Sequence, residues 1–305
     1  MQAHQSLLIT GPNGFVGQSY LQYLNSLPAD KIPGSICLVT RSGHANWLYE
    51  LENKTNISVL KCDLENTWKF KFKATHIAHF AADGSEYAYS KDASIKFNRI
   101  VGNLMDWTRD LNKPVIFFAS SGACYSQNDE RKIELIRSRL LAEKNLQNLH
   151  EEGIIDLRIG RLFSFIGNFL IKKPHYAVTA LVEMALSNSL MEILGNPLTI
   201  RSYLDASEMS HWIHRAMEIE PIDQILDIGS SKKLTILDMA EEISKLTGAE
   251  IRKVPNSGLP ENYFANNAKT LEILGVKQAI TWQNSLHTYI DFARNWRLDA
   301  QNRIK

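Results

Sequence analysis

Glycines at positions 11, 14 and 17 interrupt the run Leu7-Leu-Ile-Thr-Gly-Pro-Asn-Gly-Phe-Val-Gly17. An apolar stretch precedes them, and a helical pattern through Tyr20, Leu21 and Leu24 follows. This spacing suits phosphate binding. Gly11 permits a sharp turn out of a strand, Gly14 lets a pyrophosphate approach the backbone, and Gly17 lets helix and strand pack closely. A helix N-terminus then presents free N–H groups and a partial positive charge. A glycine triplet alone is equally a plain turn. Here a second apolar run, Ile36-Cys-Leu-Val39, follows at βαβ distance, so the chemistry expected is dinucleotide binding. Two other groups have chemical potential. One is Ser120-Ser121-Gly-Ala-Cys124-Tyr125, a cluster of hydroxyls and a thiol after an apolar run. The other is Arg201-Ser-Tyr203, a guanidinium suited to phosphate oxygens.

The elements that must position these groups follow from periodicity. Short apolar runs at Leu7–Thr10, Ile36–Thr40, Ile57–Leu60, Ile77–Ala81, Val115–Ala119 and Ile154–Ile159 alternate with helical patterns at Tyr20–Leu27, Ala93–Leu111 and Ile133–His150. That alternation predicts an α/β fold with a doubly wound parallel sheet. After Gly167 it weakens. The expected organisation is a first domain over 1–167 and a smaller C-terminal domain over 168–305, with elements around 204–247 returning to the first. Within the second part, a helix over Val178–Leu190, a strand at Glu192–Leu194, a strand at Ile225–Gly229 and a Thr235-capped helix to Thr247 are predicted, Asp238 completing the cap.

The chain has 305 residues, 44% hydrophobic and 22% charged, a globular composition. Its formal net charge of +1 gives no basic excess for nucleic acid or an anionic membrane. Cys37, Cys62 and Cys124 are scattered, so neither a disulfide framework nor a metal site is expected. The apolar runs are too short to span a membrane, and a strand near residue 6 leaves no room for a signal peptide. A cytoplasmic location is expected.

The Gly-x-x-Gly-x-x-Gly spacing resembles the extended short-chain dehydrogenase/reductase family, which includes nucleotide-sugar epimerases and dehydratases. The resemblance implies a Rossmann-type domain, an NAD(P) cofactor, a nucleoside-diphosphate sugar ligand, a role in carbohydrate biosynthesis and a homodimeric assembly. On the cofactor side it implies Gly11, Asn13, Gly14, Phe15, Val16 and Gly17, then Asp63 and Leu64 after the third strand, and Ala81 and Ala82 in His76-Ile-Ala-His-Phe-Ala-Ala82. Asp63 has a competing explanation as a loop cap, and His79 is read as a packed structural histidine. Relatives often carry a backbone-bonding Asn near Asn98. Arg41 stands at the end of the second strand, where NAD-binding proteins usually carry Asp or Glu, so NADP is expected over NAD.

Ser120-Ser121-Gly-Ala-Cys-Tyr125 resembles the family's Ser-Ser-x-x-x-Tyr, with Ser121 at the catalytic position. Gly122 and Ala123 replace the acidic pair of sugar dehydratases. Ser138-Arg-Leu-Leu-Ala-Glu143 resembles the family's Ser-Lys-Leu-x-x-Glu. This register puts Leu135 in place of the catalytic Tyr and Arg139 in place of its Lys. Leu135 cannot move a proton, and Arg139 keeps ribose bonding but is a poor relay. Three readings stay open. The chain binds ligands without turnover, or Tyr125, Cys124 or a substrate group supplies the proton, or the register is otherwise. Ser164, in Arg161-Leu-Phe-Ser-Phe-Ile-Gly167, together with Arg201 and Tyr263, forms the implied substrate set. Epimerase or keto-reductase chemistry is expected ahead of dehydration.

Overall fold

The computed structural model describes all residues except 3, 46–49, 83–85, 127–128, 173–175, 255–257 and 303–305. In chain order the strands are β1 (Ser6–Thr10), β2 (Ser35–Thr40), β3 (Asn56–Lys61), β4 (His76–His79), β5 (Val115–Ser121), β6 (Asp156–Leu162) and β7 (Phe165–Ile166). They continue as β8 (Leu190–Ile193), β9 (Ile200–Ser202), β10 (Leu204–Asp205), β11 (Leu226–Ile228), β12 (Lys233–Thr235), β13 (Glu250–Lys253) and β14 (Asn262–Tyr263). The α-helices are α1 (Phe15–Ser26), α2 (Lys91–Thr108), α3 (Ile133–Glu151), α4 (Ala177–Asn188), α5 (Ala206–Glu218), α6 (Ile236–Thr247), α7 (Ala268–Leu274) and α8 (Trp282–Asn302).

Contacts divide the chain into two compact units: Met1–Leu162 with Ser210–Ile228, and Phe163–Met209 with Gly229–Lys305. The first holds a seven-stranded parallel sheet in the order β11-β6-β5-β4-β1-β2-β3. The apolar runs of its inner strands are continuous because both faces are covered there, whereas the edge strand β3 alternates with exposed residues. On one face Leu8, Ile77, Ile116 and Phe118 pack with Phe97, Leu104 and Trp107 of α2 and Ala142, Leu146 and Leu149 of α3. On the other, Tyr20 of α1 meets Phe80 edge-on and bonds His214 of α5 at 3.0 Å. The fully buried Arg158 fastens the returning segment, donating to the carbonyls of Ala216 and Ile219 at the end of α5. The doubly wound Rossmann-type sheet expected from the alternation is the observed fold.

The first unit ends at Leu162, and the returning segment is Ser210–Ile228, shorter than 204–247. The reason is pairing. β12 lies antiparallel to β9, and β14 lies parallel to β9, which keeps Lys233–Thr235 and the helix after it in the second unit. The predicted cap of α6 forms in full: Thr235 Oγ1 accepts from the Asp238 amide at 3.0 Å, and Asp238 Oδ2 accepts from the Thr235 amide at 2.7 Å. The predicted strand at Glu192–Leu194 begins earlier, at Leu190, where it pairs in parallel with β13.

Candidate functional site

β1 and β4 are neighbours although α1, β2 and β3 separate them in sequence, so their C-terminal ends form the switch point where open α/β sheets bind ligands. Gly11 occupies that end with φ +67, and a Cβ there would lie 3.0 Å from the backbone of Ala81. Gly17 is more constrained, since its Cβ would fall 2.3 Å from the Gly11 carbonyl oxygen and 2.6 Å from Pro12 Cα. Gly14 differs from both. It is exposed, and an added Cβ would meet only the Gly11 oxygen, at 3.3 Å. Gly14 is also the N-cap of α1, with no side-chain cap bond and no acidic residue in the first turn. Two glycines therefore shape the turn, while the third stands exposed, without a side chain, as the cap of a helix whose first turn carries no acidic residue. Phe15 and Val16, half-buried, form the first turn of that helix.

Asn13 bonds the His44 carbonyl at 2.7 Å, joining the glycine turn to the segment after β2. Arg41 is exposed at the start of that segment. Asp63 accepts from the Glu65 amide at 3.1 Å, the loop-capping role weighed for it. Leu64 is buried, and its carbonyl receives bonds from Trp68 and Asn103. Asn103, five residues beyond Asn98 on α2, also donates to the Asn66 carbonyl. The Ala81 amide donates to Thr10 Oγ1 at 3.2 Å, and Thr10 Oγ1 lies 3.0 Å from His79 Nδ1. Ala82 is exposed just beyond. His79 is fully buried, stacked on Phe118, and its pKa is pushed down to about 3 by burial and then by the Arg139 charge. It is neutral at ordinary pH, as a structural histidine should be.

The ends of β5, β6 and β11 carry a second cluster. Ser120 pairs in register with Arg161, and Arg161 with Asp227. Glu143 of α3 reaches the same place. Arg161 forks onto it with Nε–Oε1 at 3.0 Å and Nη2–Oε2 at 2.6 Å, both side chains being buried. Ser120 Oγ also donates to Glu143 Oε1. The Arg161 guanidinium lies 4.4 Å from the centre of the Tyr125 ring, and the Tyr125 hydroxyl donates to Asp227 Oδ1 at 2.8 Å. Burial, then the bond and charge of Asp227, raise the Tyr125 pKa. Burial and the Glu143 charge likewise raise that of Cys124. Because successive strand residues face opposite ways, Ser121 points away from this network. Its Oγ accepts from the Ala123 amide at 3.2 Å.

Leu135 is buried with Ala88, Ala123 and Ile136, which brings it within this apolar cluster to the loop just after Ser121. Arg139, one turn later, is also buried, with its guanidinium 3.3 Å from the centre of the Phe97 ring. Neither position carries a phenol or an amine. In the sequence Glu143 stood only as the end of the Ser138–Glu143 match and Asp227 only within a family-like strand segment, and Thr10 and Phe97 were not singled out. Their partners lie 18, 102, 69 and 42 residues away, and no local pattern marks such pairs.

In the second unit Arg201 is held in strand β9. It donates to Glu261 Oε2 at 2.9 Å and to the carbonyls of Ile200 and Glu261. Tyr263 pairs with Arg201 in register and lies tilted against Phe163, with ring centres 5.2 Å apart. The Ser164 carbonyl accepts from the Leu204 amide at 3.1 Å. Among the described residues no group of three or more His, Cys, Asp or Glu is placed to hold a metal, and no helix is long and apolar enough to cross a membrane.

The sequence pattern of the NAD-dependent epimerase/dehydratase family matches residues 7–229, well over half of the chain. The chain belongs to the NAD-dependent epimerase/dehydratase family. This family match spans the glycine turn, the Ser121 loop and β11 alike. A curated relative is the trifunctional UDP-glucose 4,6-dehydratase/UDP-4-keto-6-deoxy-D-glucose 3,5-epimerase/UDP-4-keto-L-rhamnose-reductase of Arabidopsis thaliana. It is 23% identical over 124 residues, 39% of this chain and 18% of that much longer protein. Family members of known structure superpose along nearly the whole chain. The dTDP-glucose 4,6-dehydratase DesIV from Streptomyces venezuelae, solved with NAD bound, gives a TM-score of 0.82 at 17% identity, covering 96% of this chain and 98% of that one. The UDP-glucuronic acid 4-epimerase from Bacillus cereus, in complex with UDP-glucuronic acid and NAD, gives 0.80 at 18% identity, covering 95% and 99%. The UDP-glucose 4-epimerase of Thermotoga maritima, with UDP-glucose, gives 0.79 at 16% identity, covering 96% and 99%. At these identities the superpositions establish a shared fold.

Proposed function

We propose that this chain binds an NAD(P) cofactor and a nucleoside-diphosphate sugar. Its hydride chemistry is of the epimerase or keto-reductase kind, and the proton step runs slowly because it lacks the family's phenol. The carrying observation is the glycine turn. Gly14 stands exposed, without a side chain, as the N-cap of α1 at the sheet's switch point. The residues present thus fit a dinucleotide. When bound, the nicotinamide would take and return a hydride. Ser121 would orient the reacting oxygen and Arg139 would bond the ribose. Arg41 would favour the extra phosphate of NADP, and Arg201 with Ser164 and Tyr263 would hold the sugar nucleotide. The neighbours' ligands, UDP-glucose and UDP-glucuronic acid, support this substrate class.

A second reading, a binding protein without turnover in a regulatory or structural role, has its own support. Leu135 sits in an apolar cluster, and Tyr125, the phenol that follows Ser121, donates its hydroxyl to Asp227. A positioned acid or base is worth ~10²–10⁴ in rate, so its absence separates a slow enzyme from a normal one. The test is to purify the protein, identify any co-purifying cofactor, and titrate it with NADPH and NADH. Bound NADPH is then challenged with keto-sugar nucleotides. Saturable cofactor binding with slow oxidation supports the proposal. Binding with no oxidation across the panel supports the second reading, and no cofactor binding contradicts both.

A further inference from the structure

Arg201 is not waiting empty-handed for a phosphate. The stretch bearing Glu261 is fastened alongside β9: the Ile200 amide donates to the Glu261 carbonyl at 2.9 Å, and the Glu261 amide reaches Thr199 Oγ1 at 3.4 Å. The pairing of β14 with β9 continues that register through Asn262–Ile200 and Tyr263–Arg201. This backbone attachment delivers the Glu261 carboxylate to Arg201 Nη2, while Nη1 takes the carbonyls of Ile200 and Glu261. The guanidinium also lies 6.0 Å from the centre of the Tyr263 ring. The pair is neither buried nor free, with side-chain exposures of 21% for Arg201 and 36% for Glu261. Solvent and a ligand can therefore reach it.

We propose that the Glu261 carboxylate is an internal stand-in for the phosphate of the sugar nucleotide: it occupies Arg201 in the free protein and must be displaced when a diphosphate binds. This rests on the reading of Arg201 as the phosphate-binding residue. A carboxylate and a phosphoryl group ask the same thing of a guanidinium, a forked pair of N–H donors meeting an anion. Both cannot be satisfied at once, and the anion that is tethered by strand pairing competes at high effective concentration. Glu261 thereby lowers affinity for any diphosphate and holds Arg201 in a fixed rotamer until one arrives. It also selects against weakly charged ligands, which cannot displace it.

The test is a double-mutant cycle read by calorimetric titration of UDP, with dTDP in parallel, on wild type, Glu261→Gln, Arg201→Ala and the combined variant. Circular dichroism melts check that each is folded. Glutamine keeps the size and one hydrogen bond but removes the competing charge. The expected result is tighter diphosphate binding by Glu261→Gln, by about fivefold, the strength of a partly exposed ion pair. Arg201→Ala should lose most of the affinity, and Glu261→Gln should add nothing in that background. Unchanged or weaker binding by Glu261→Gln, with Arg201→Ala still impaired, overturns the stand-in while leaving Arg201 as the phosphate ligand. A gain that persists without Arg201 also overturns it, as a general field effect. Binding indifferent to Arg201→Ala removes the underlying assignment as well.

Discussion

The glycine turn after β1 and the first turns of α3 lie in the same unit, yet the turn is built of backbone while the start of α3 offers side chains that pack inward. At the turn, Gly11 and Gly17 are pressed against backbone, while the exposed Gly14 caps α1 and approaches only the Gly11 oxygen. At α3, the two positions that the proposed register gives to a phenol and an amine are parts of the packing. Leu135 joins an apolar cluster, and Arg139 lies on the face of Phe97. A binding surface made of backbone survives as long as the turn survives. A proton relay made of two side chains is lost with either of them, and the fold does not register the loss because a leucine packs at least as well as a tyrosine.

The network beside α3 shows how much structure has gathered there instead. The sharpest break of the comparison is Glu143→Ala. It leaves the buried Arg161 charge unpaired, and losing one partner of a buried pair costs roughly 3–5 kcal/mol. Urea denaturation should show that loss. A change under 1 kcal/mol would mean that water, and not Glu143, satisfies Arg161.

A smaller effect is expected on the glycine side, from pH. His79 has a folded pKa of about 3, below its ordinary 6.5. The unfolded chain therefore binds a proton that the folded protein refuses. This contribution is intact above pH 6.5 and is lost progressively as pH falls toward 3. Between pH 6.5 and 4.5 the cost is roughly 2–3 kcal/mol. Denaturation midpoints of wild type and His79→Phe should diverge across that window, the variant showing the flatter dependence. Parallel curves would place the titration elsewhere.

Gly17→Ala should cost about 1–3 kcal/mol, because the added carbon meets backbone that cannot step aside. Gly14→Ala should barely move the melting temperature but should weaken NADPH binding. If the two variants behave alike, Gly14 is a turn residue and not a phosphate contact. The smallest expected effect is Arg41→Asp, which should shift the NADPH-to-NADH affinity ratio by about tenfold toward NADH, as the loss of a charge-assisted bond at an exposed site implies. Fluorescence titration of both cofactors checks it, and an unchanged ratio would remove Arg41 from the site.

What the sequence made legible follows the same division. The parallel sheet was readable because its strands are continuous apolar runs between helical patterns. The turn was readable because three glycines at fixed spacing stand between a strand pattern and a helix pattern, and the α6 cap because Thr235 and Asp238 stand three residues apart. Leu135 and Arg139 were placed only by the register of Ser138 to Glu143, and both are buried in α3. The ring of Ser120, Glu143, Arg161, Tyr125 and Asp227 was not, since it is assembled by strand order across more than a hundred positions. The attachment of Glu261 to Arg201 was hidden for the same reason, being set by the pairing of β14 with β9. The extent of the returning segment was overdrawn because β12 and α6 look, in sequence, no different from elements of the first sheet.

The contrast between an intact cofactor turn and an altered proton relay is tested most directly by one stopped-flow experiment that follows nicotinamide fluorescence. It compares wild type with the Leu135→Tyr, Arg139→Lys double variant, each mixed with NADPH and then with a panel of keto-sugar nucleotides. The account predicts NADPH affinities within a few-fold of each other, and oxidation at least ~10² faster in the double variant, the value of a positioned acid. Wild-type protein that oxidises NADPH as fast as the double variant, or that fails to bind NADPH at all, would contradict it.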